Sequence, residues 1–201
     1  MTITHSRSHS LDQQRRYFAN LLASSPTSRS PINQRGVFMV VSHTANVVIS
    51  LQLNRTIDEH NLQDISGKIG IDIAGDDPIW FGGPHAQDKI HIIHTTDWMG
   101  HTSVNLTDDL AMTNDLSILS AMSAGEGPGK FRACAGFFTW TLNEFNRLMS
   151  TKSRPEGLIS QVAKWEAVPA ASELIFDSGR DDEQWLAVLE ASVAYQANQY
   201  F

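Results

Sequence analysis

Cysteine is almost missing from this chain. Cys134 is the only one in 201 residues, which excludes an intramolecular disulfide and any cysteine-based zinc cage. No stretch reaches the roughly 18 uninterrupted apolar residues of a membrane-spanning helix. The first ten residues, Met1 to Ser10, lack the apolar segment of a signal peptide. Basic runs are also missing: no four consecutive positions are Lys or Arg, and 15 Lys and Arg face 22 Asp and Glu for a formal charge of −7. That balance opposes binding to nucleic-acid phosphates and anionic lipid, and no helix-turn-helix pattern stands out, so direct DNA reading is not expected. There is no Gly-x-Ser-x-Gly elbow, Walker loop, His-Glu-x-x-His or zinc-finger spacing. These absences fit a cytoplasmic chain without a membrane anchor or cofactor.

What is present is the material of a core. At 41% apolar and 18% charged residues, a chain of this length can bury roughly 70% of its unfolded surface. A polar, Ser- and His-rich tail over residues 1–9 is expected to be disordered, and residues 10–201 to form one domain. A helix is expected over residues 11–17, and Ser24 to Pro31 read as loop. Gly36 to Ser42 and Val47 to Leu53 are β-rich runs whose four-residue join predicts a hairpin. Thr56 or Asp58 is expected to start a helix carrying Leu62, Ile65 and Ile69. Ile79 to Phe81, the turn Gly82-Gly83-Pro84 and the β-branched run to Thr95 read as strand, turn and strand at the centre of the fold. A helix from Thr113 or Asn114 should stop at Gly125 to Gly129. Phe131 to Phe138, apolar apart from Arg132, predicts a strand covered on both faces. Thr141 caps a helix to about Met149, and a helical stretch is expected around Leu158, Ile159, Val162 and Trp165. The last helix begins near Asp181 and directs Trp185, Val188, Leu189 and Val193 to the core.

The order Leu21-Leu22-Ala23, Ser30-Pro31, Arg35, Leu53-Asn54-Arg55, Gly82-Gly83-Pro84, Asp88, His94, Met112-Thr113, Gly136 to Trp140, Phe176-Asp177 and Trp185 resembles the AlgH/YqgE family of bacterial proteins over about residues 20 to 190. For relatives the second element is a strand, which implies one at Asn20 to Ala23. The resemblance implies an α+β fold with a mixed, partly closed, barrel-like sheet flanked by helices, and a regulatory role associated with transcription. Two departures stand out. Thr141-Leu142-Asn143-Glu144 replaces a Gly-rich turn, with extra sequence from Met149 to Trp165, and Thr44-Ala45-Asn46 replaces an acidic, glycine-containing hairpin turn.

Candidate sites each have a plainer reading beside them. His85, His91, His94 and His101 lie within seventeen positions, and imidazole is a common metal ligand. On a strand, however, His91 and His94 point to opposite faces, so surface or core histidines are expected and no metal. Cys134, in the apolar run Ala133-Cys134-Ala135, is expected to be a small buried hydrophobe. Asp76-Asp77, Asp108-Asp109 and Asp181-Asp182 read as turn and cap residues, although Asp177, Asp181 and Asp182 would make a cation site if a loop gathered them. Gly125 to Gly129 follows a helix, whereas phosphate loops open one. The favoured site is composite: Asn54 and Arg55 at one strand end and Gly82, Gly83 and Pro84 at another, with Asp88 and His94 nearby, meeting at one rim. A free guanidinium and exposed amides there would suit an anionic group. The plainer reading has Asn54 satisfying backbone groups and Arg55 paired with Asp88 or Asp58. The expected function is a non-catalytic binding or regulatory module, monomer or homodimer, acting through a protein partner or a small anionic ligand. The alternatives are an enzyme or small-molecule binder using that rim, or an interaction protein with an apolar patch at Trp98 and Met99 or over Met149 to Trp165.

Overall fold

Ten strands and five helices make up the computed structural model, which describes residues 16–28, 30–150 and 164–199. In chain order they are β1 (Asn20–Ala23), β2 (Val37–His43), β3 (Val47–Gln52), β4 (Thr56–Asn61), α1 (Leu62–Lys68), β5 (Pro78–Phe81), β6 (His85–Thr95), β7 (Val104–Asn105), β8 (Leu110–Thr113), α2 (Ser117–Ser123), β9 (Phe131–Thr141), α3 (Leu142–Met149), β10 (Glu166–Pro169), α4 (Ser172–Phe176) and α5 (Asp181–Ala197).

The sheet runs β10-β1-β2-β3-β9-β6-β8-β7, with β4 and β5 set off this path. It is curled into a half-barrel. The hub is β9 rather than the Gly-Gly-Pro hairpin. On one side it pairs with β6; on the other its first half runs parallel to β5 and its second half antiparallel to β3. An apolar strand with neighbours on both edges and cover on both faces has to lack polar alternation. Alternate residues accordingly serve different cores. Val37 and Met39 of β2 join Leu21, Leu51, Ile93 and the α5 residues Trp185 and Val188. Phe38 and Val40 join an aromatic cluster with Phe138, Phe145 and Trp165. A third cluster holds Leu62, Ile92, Ile118 and Leu119. Trp185 Nε1 donates to Ser24 O at 2.9 Å, fixing α5 across the end of β1.

β1, the β2–β3 hairpin, β5, β6 and α3 lie where the sequence predicts. Thr141 and Glu144 form a reciprocal cap at the start of α3. Four expectations are corrected. Residues 56–61 are strand, because Thr56 and Ile57 pair with Trp80 and Ile79, and the helix is delayed to the Asn61–Asp64 capping box. Thr113 stays in β8 opposite Ile92, so α2 starts at Ser117. Trp165 leads into β10, a strand the helical reading missed. Val193 is 66% exposed, and Gln184 and Ser192 are the α5 residues buried beside Trp185 and Val188. The expected tail at 1–9 and the helix residues 11–15, as well as Leu158, Ile159 and Val162, lie outside the described residues. Trp165 N–H donates to Leu148 O at 2.9 Å, which ties the end of α3 to the start of the approach to β10.

Candidate functional site

The two stretches proposed to meet at a rim do run side by side: Phe81 N–H donates to Arg55 O at 2.8 Å and Gln52 N–H to Gly82 O at 2.9 Å. Their polar groups are already engaged. The Arg55 guanidinium donates to Pro31 O at 2.9 Å and to Gln34 O at 2.5 Å, so the expected free guanidinium is instead a tie to the 31–34 loop. The Gly82 and Gly83 amides both donate to Ala135 O. These glycines are buried against β9, where a Cβ on Gly83 would fall within 2.5 Å of three backbone atoms of Phe137 and Phe138. Close backbone approach, rather than an anion cradle, accounts for the double glycine here.

Asn54 takes the plainer role. Its Oδ1 accepts from Val37 N–H at 2.9 Å, and its Nδ2 donates to Arg35 O at 2.8 Å and Asp181 O at 2.9 Å. Arg35 and Asp181 both have positive φ, so one buried side chain holds two left-handed residues, one ahead of β2 and one opening α5. Pro84 and Asp88 are exposed, with Asp88 4.0 Å from its neighbour Lys89. His94 is buried on the other side of β6, its Nδ1 2.9 Å from Thr95 O and its ring edge-on to Trp98. Burial pushes its pKa below the ordinary histidine value.

His91, half-buried against Phe137, lies on the opposite face from His94, as strand geometry requires. His85 and His101 are exposed. Burial pushes the Cys134 thiol up to about 12, which leaves it protonated and unreactive at neutral pH. Asp177 pairs with Lys130 and Asp182 with Arg35, so the acidic trio is split. Among the described residues no group of three or more His, Cys, Asp or Glu side chains is arranged around a metal position. Gly125 to Gly129 closes α2, with Gly125 in the left-handed region.

The group that sequence reasoning passed over is Arg132. The alternation of β9 puts residues 130, 132 and 134 on one face. The parallel register sets Trp80 opposite Cys134, so the arginine reaches diagonally across the indole, its guanidinium carbon 3.7 Å from the ring centroid. The side chain is only 5% exposed. Its Nη1 donates to Leu53 O and, at 2.9 Å, to Gln184 Oε1. Among the described residues no carboxylate stands within ion-pair distance; Nη2 and Nε make no hydrogen bond to the described residues and are not among the buried unpartnered atoms, so they face open space. Burial, with Arg180 adding a smaller push, lowers its pKa to about 10, so it remains a cation at neutral pH. The signal available in the sequence was its isolation: a lone arginine inside an apolar strand is a buried charge that needs a reason.

Arg132 lines an open cavity of about 440 Å³ formed by the start of β5, the start of β9 and the link between α4 and α5. Arg180, whose guanidinium carbon is 5.9 Å from the same Trp80 centroid, and Lys130 supply two further cations. Asp77 and Asp177 supply two carboxylates, and Asp177 holds Lys130 at 2.6 Å. Phe131 and Phe176 complete an aromatic wall, and among the described residues no Ser, Thr, Cys, His or Tyr lines the space. The arrangement offers a positively biased, flat-walled recess with no nucleophile–base pair among the described residues.

The family model described as AlgH-like matches residues 21–194. Among curated proteins, the chain is 25% identical over 170 residues to a UPF0301 protein of Rhodospirillum rubrum, covering 83% of each. It is 27% identical over 174 residues to one of Rhizorhabdus wittichii, covering 86% of this chain and 87% of that one. Among solved structures, the fold is similar to the solution structure of the AlgH protein from Pseudomonas aeruginosa, with a TM-score of 0.66, 22% identity and 88% of each chain covered. It is also similar to the crystal structure of a Corynebacterium diphtheriae protein, with a TM-score of 0.65, 15% identity and coverage of 86% and 85%.

Proposed function

The chain belongs to the AlgH-like family, and from that premise we propose that it is a non-catalytic binding or regulatory module that takes a small anionic ligand in the recess over Trp80. The observation that carries the reading is the Arg132 charge, buried without a carboxylate while donors remain on its Nη2 and Nε. A guanidinium whose remaining donors face an open recess offers a planar fork suited to a carboxylate or phosphate. Arg180 sits on the same indole and Lys130 at the mouth, so an entering anion gains further cationic contacts. The location is cytoplasmic on this reading, consistent with a single buried thiol and with the lack, among the described residues, of a helix long and apolar enough to cross a membrane. A transcription-associated role would then run through the ligand, or through a protein that senses it, and not through duplex DNA, which a chain of charge −7 repels.

The test is an NMR titration with phosphate, sulfate and citrate, following the Trp80 indole N–H and the amides of residues 130–132 and 180. Saturable shifts confined to that recess are expected. Arg180→Ala should weaken binding about tenfold, the worth of one charge-assisted hydrogen bond. No shift at these positions with tens of millimolar anion would overturn the proposal.

A further inference from the structure

A second cavity, of about 230 Å³, adjoins the first and shares Asp77 and Phe131 with it. Its character is different. Ile73, Met122, Pro128 and Phe131 line it, together with Ala74, Gly125, Gly127 and the shared Asp77, so apolar side chains share the wall with one carboxylate; among the described residues no Lys, Arg or His contributes. Ile73 and Pro128 are buried, whereas Met122 and Phe131 are half-buried and pack on the third core cluster, so the floor is a fixed apolar surface. Phe131 lines both cavities and, with Asp77, marks where the cationic recess passes into the second one.

We infer that the ligand is a bipartite organic anion, with a carboxylate or phosphate head for Arg132, Arg180 and Lys130 and a short aryl or alkyl body that lies past Phe131 in the second cavity. This rests on the anion-binding reading of the first recess and deepens it. The head alone would leave apolar walls in water, and a body alone would leave the buried guanidinium unmet. The second cavity has room for one ring or a short chain but not for the acyl chain of a membrane lipid, so the source is a soluble metabolite of that chemistry.

The experiment compares inorganic phosphate, phenyl phosphate and dodecyl phosphate below its micelle concentration, by calorimetry and by the same NMR signals. Removing roughly 60 Å² of apolar surface from water at about 25 cal/mol per Å² predicts that phenyl phosphate binds about tenfold tighter than phosphate. Phenyl phosphate should also shift residues 73, 122 and 128, which phosphate leaves unmoved. Ala74→Trp, at an exposed loop position on the second cavity, should bring phenyl phosphate down to the affinity of phosphate while phosphate itself binds as before. Equal affinities of the two probes for the native chain, with phosphate still bound in the first recess, would overturn this inference and leave the anion site standing. Binding of neither would remove both. A further large gain for dodecyl phosphate would overturn the small-metabolite source in favour of a lipid.

Discussion

Substituting Gly83 by alanine distinguishes a structural double glycine from a ligand-binding turn. A Cβ at this position falls within 2.5 Å of three backbone atoms of Phe137 and Phe138, on the strand that anchors the sheet. Ordinary contact begins near 3.4 Å, so the end of β5 has to withdraw by about 1 Å, and main-chain bonds do not survive such a stretch. The bonds at stake are Gly82 N–H and Gly83 N–H to Ala135 O and Gln52 N–H to Gly82 O. Losing two or three buried main-chain bonds, each worth about 1 kcal/mol, together with the packing around them, gives a destabilisation of about 3 kcal/mol or more. For a chain of this size that lowers Tm by about 10 °C. Urea unfolding followed by tryptophan fluorescence measures it directly. Gly67→Ala is the control: its Cβ meets nothing within 4 Å and it lies inside α1, so alanine there should stabilise by about 0.5–1 kcal/mol. A Gly83→Ala protein within about 1 kcal/mol of the native chain would refute the close-approach argument and return the Gly-Gly-Pro turn to the list of ligand sites.

Asn54→Ala should destabilise by about 3 kcal/mol, since it leaves Val37 N–H, Arg35 O and Asp181 O without their partner and releases two left-handed residues; a loss below about 1 kcal/mol in urea unfolding would contradict that role. Burial lowers the pKa of His43, His91 and His94 below 6.5, so below about pH 6.5 the unfolded chain takes up protons that the folded chain refuses, and stability should fall as pH drops toward 5. Asp97 and Asp109, whose carboxyls are lowered chiefly by bonds from Thr95 and Thr107, act in the same direction at still lower pH, so the window between 6.5 and 5 belongs to the histidines. A urea midpoint unchanged across that window would refute the assignment.

Elements with a purely local signature were legible. Thr141 with Glu144 announces a cap, and the four residues between Ser42 and Val47 announce a hairpin. Residues 56–61 were not, because Asp58, Glu59 and His60 carry no strand propensity; that segment is extended only because β5 offers it an edge. Trp165 and the strand after it depend on β1 in the same way. The candidate site shows the same division. Asn54-Arg55 and Gly82-Gly83 were correctly brought alongside one another, but the backbone partners that engage them come from residues 31–37, 135 and 181, far away in sequence. Conversely, the open recess is assembled from the ends of β5, β9 and α4. Only Arg132, a charge in the middle of an apolar run, gave notice of it.

That charge also sets the limits of a purely structural account. Lys130, Arg132 and Cys134 descend one face of the central strand from surface to core, and burial pushes the arginine down to about 10 and the cysteine up to about 12. For a buried guanidinium the shift from 12.5 amounts to roughly 3 kcal/mol against the charged form, a sizeable share of the 5–15 kcal/mol that holds a typical domain together. Stacking on Trp80 returns about 1–2 kcal/mol and the bonds to Leu53 O and Gln184 Oε1 return about as much again, so the position is near balance when empty. An apolar residue of similar volume would carry none of the desolvation cost, and buried ion pairs replaced in that way are often neutral or stabilised. What such a residue would lack is the unused side of the fork, facing a recess into which Arg180 and Lys130 also project. That unused side of the fork is what the proposed anion would meet.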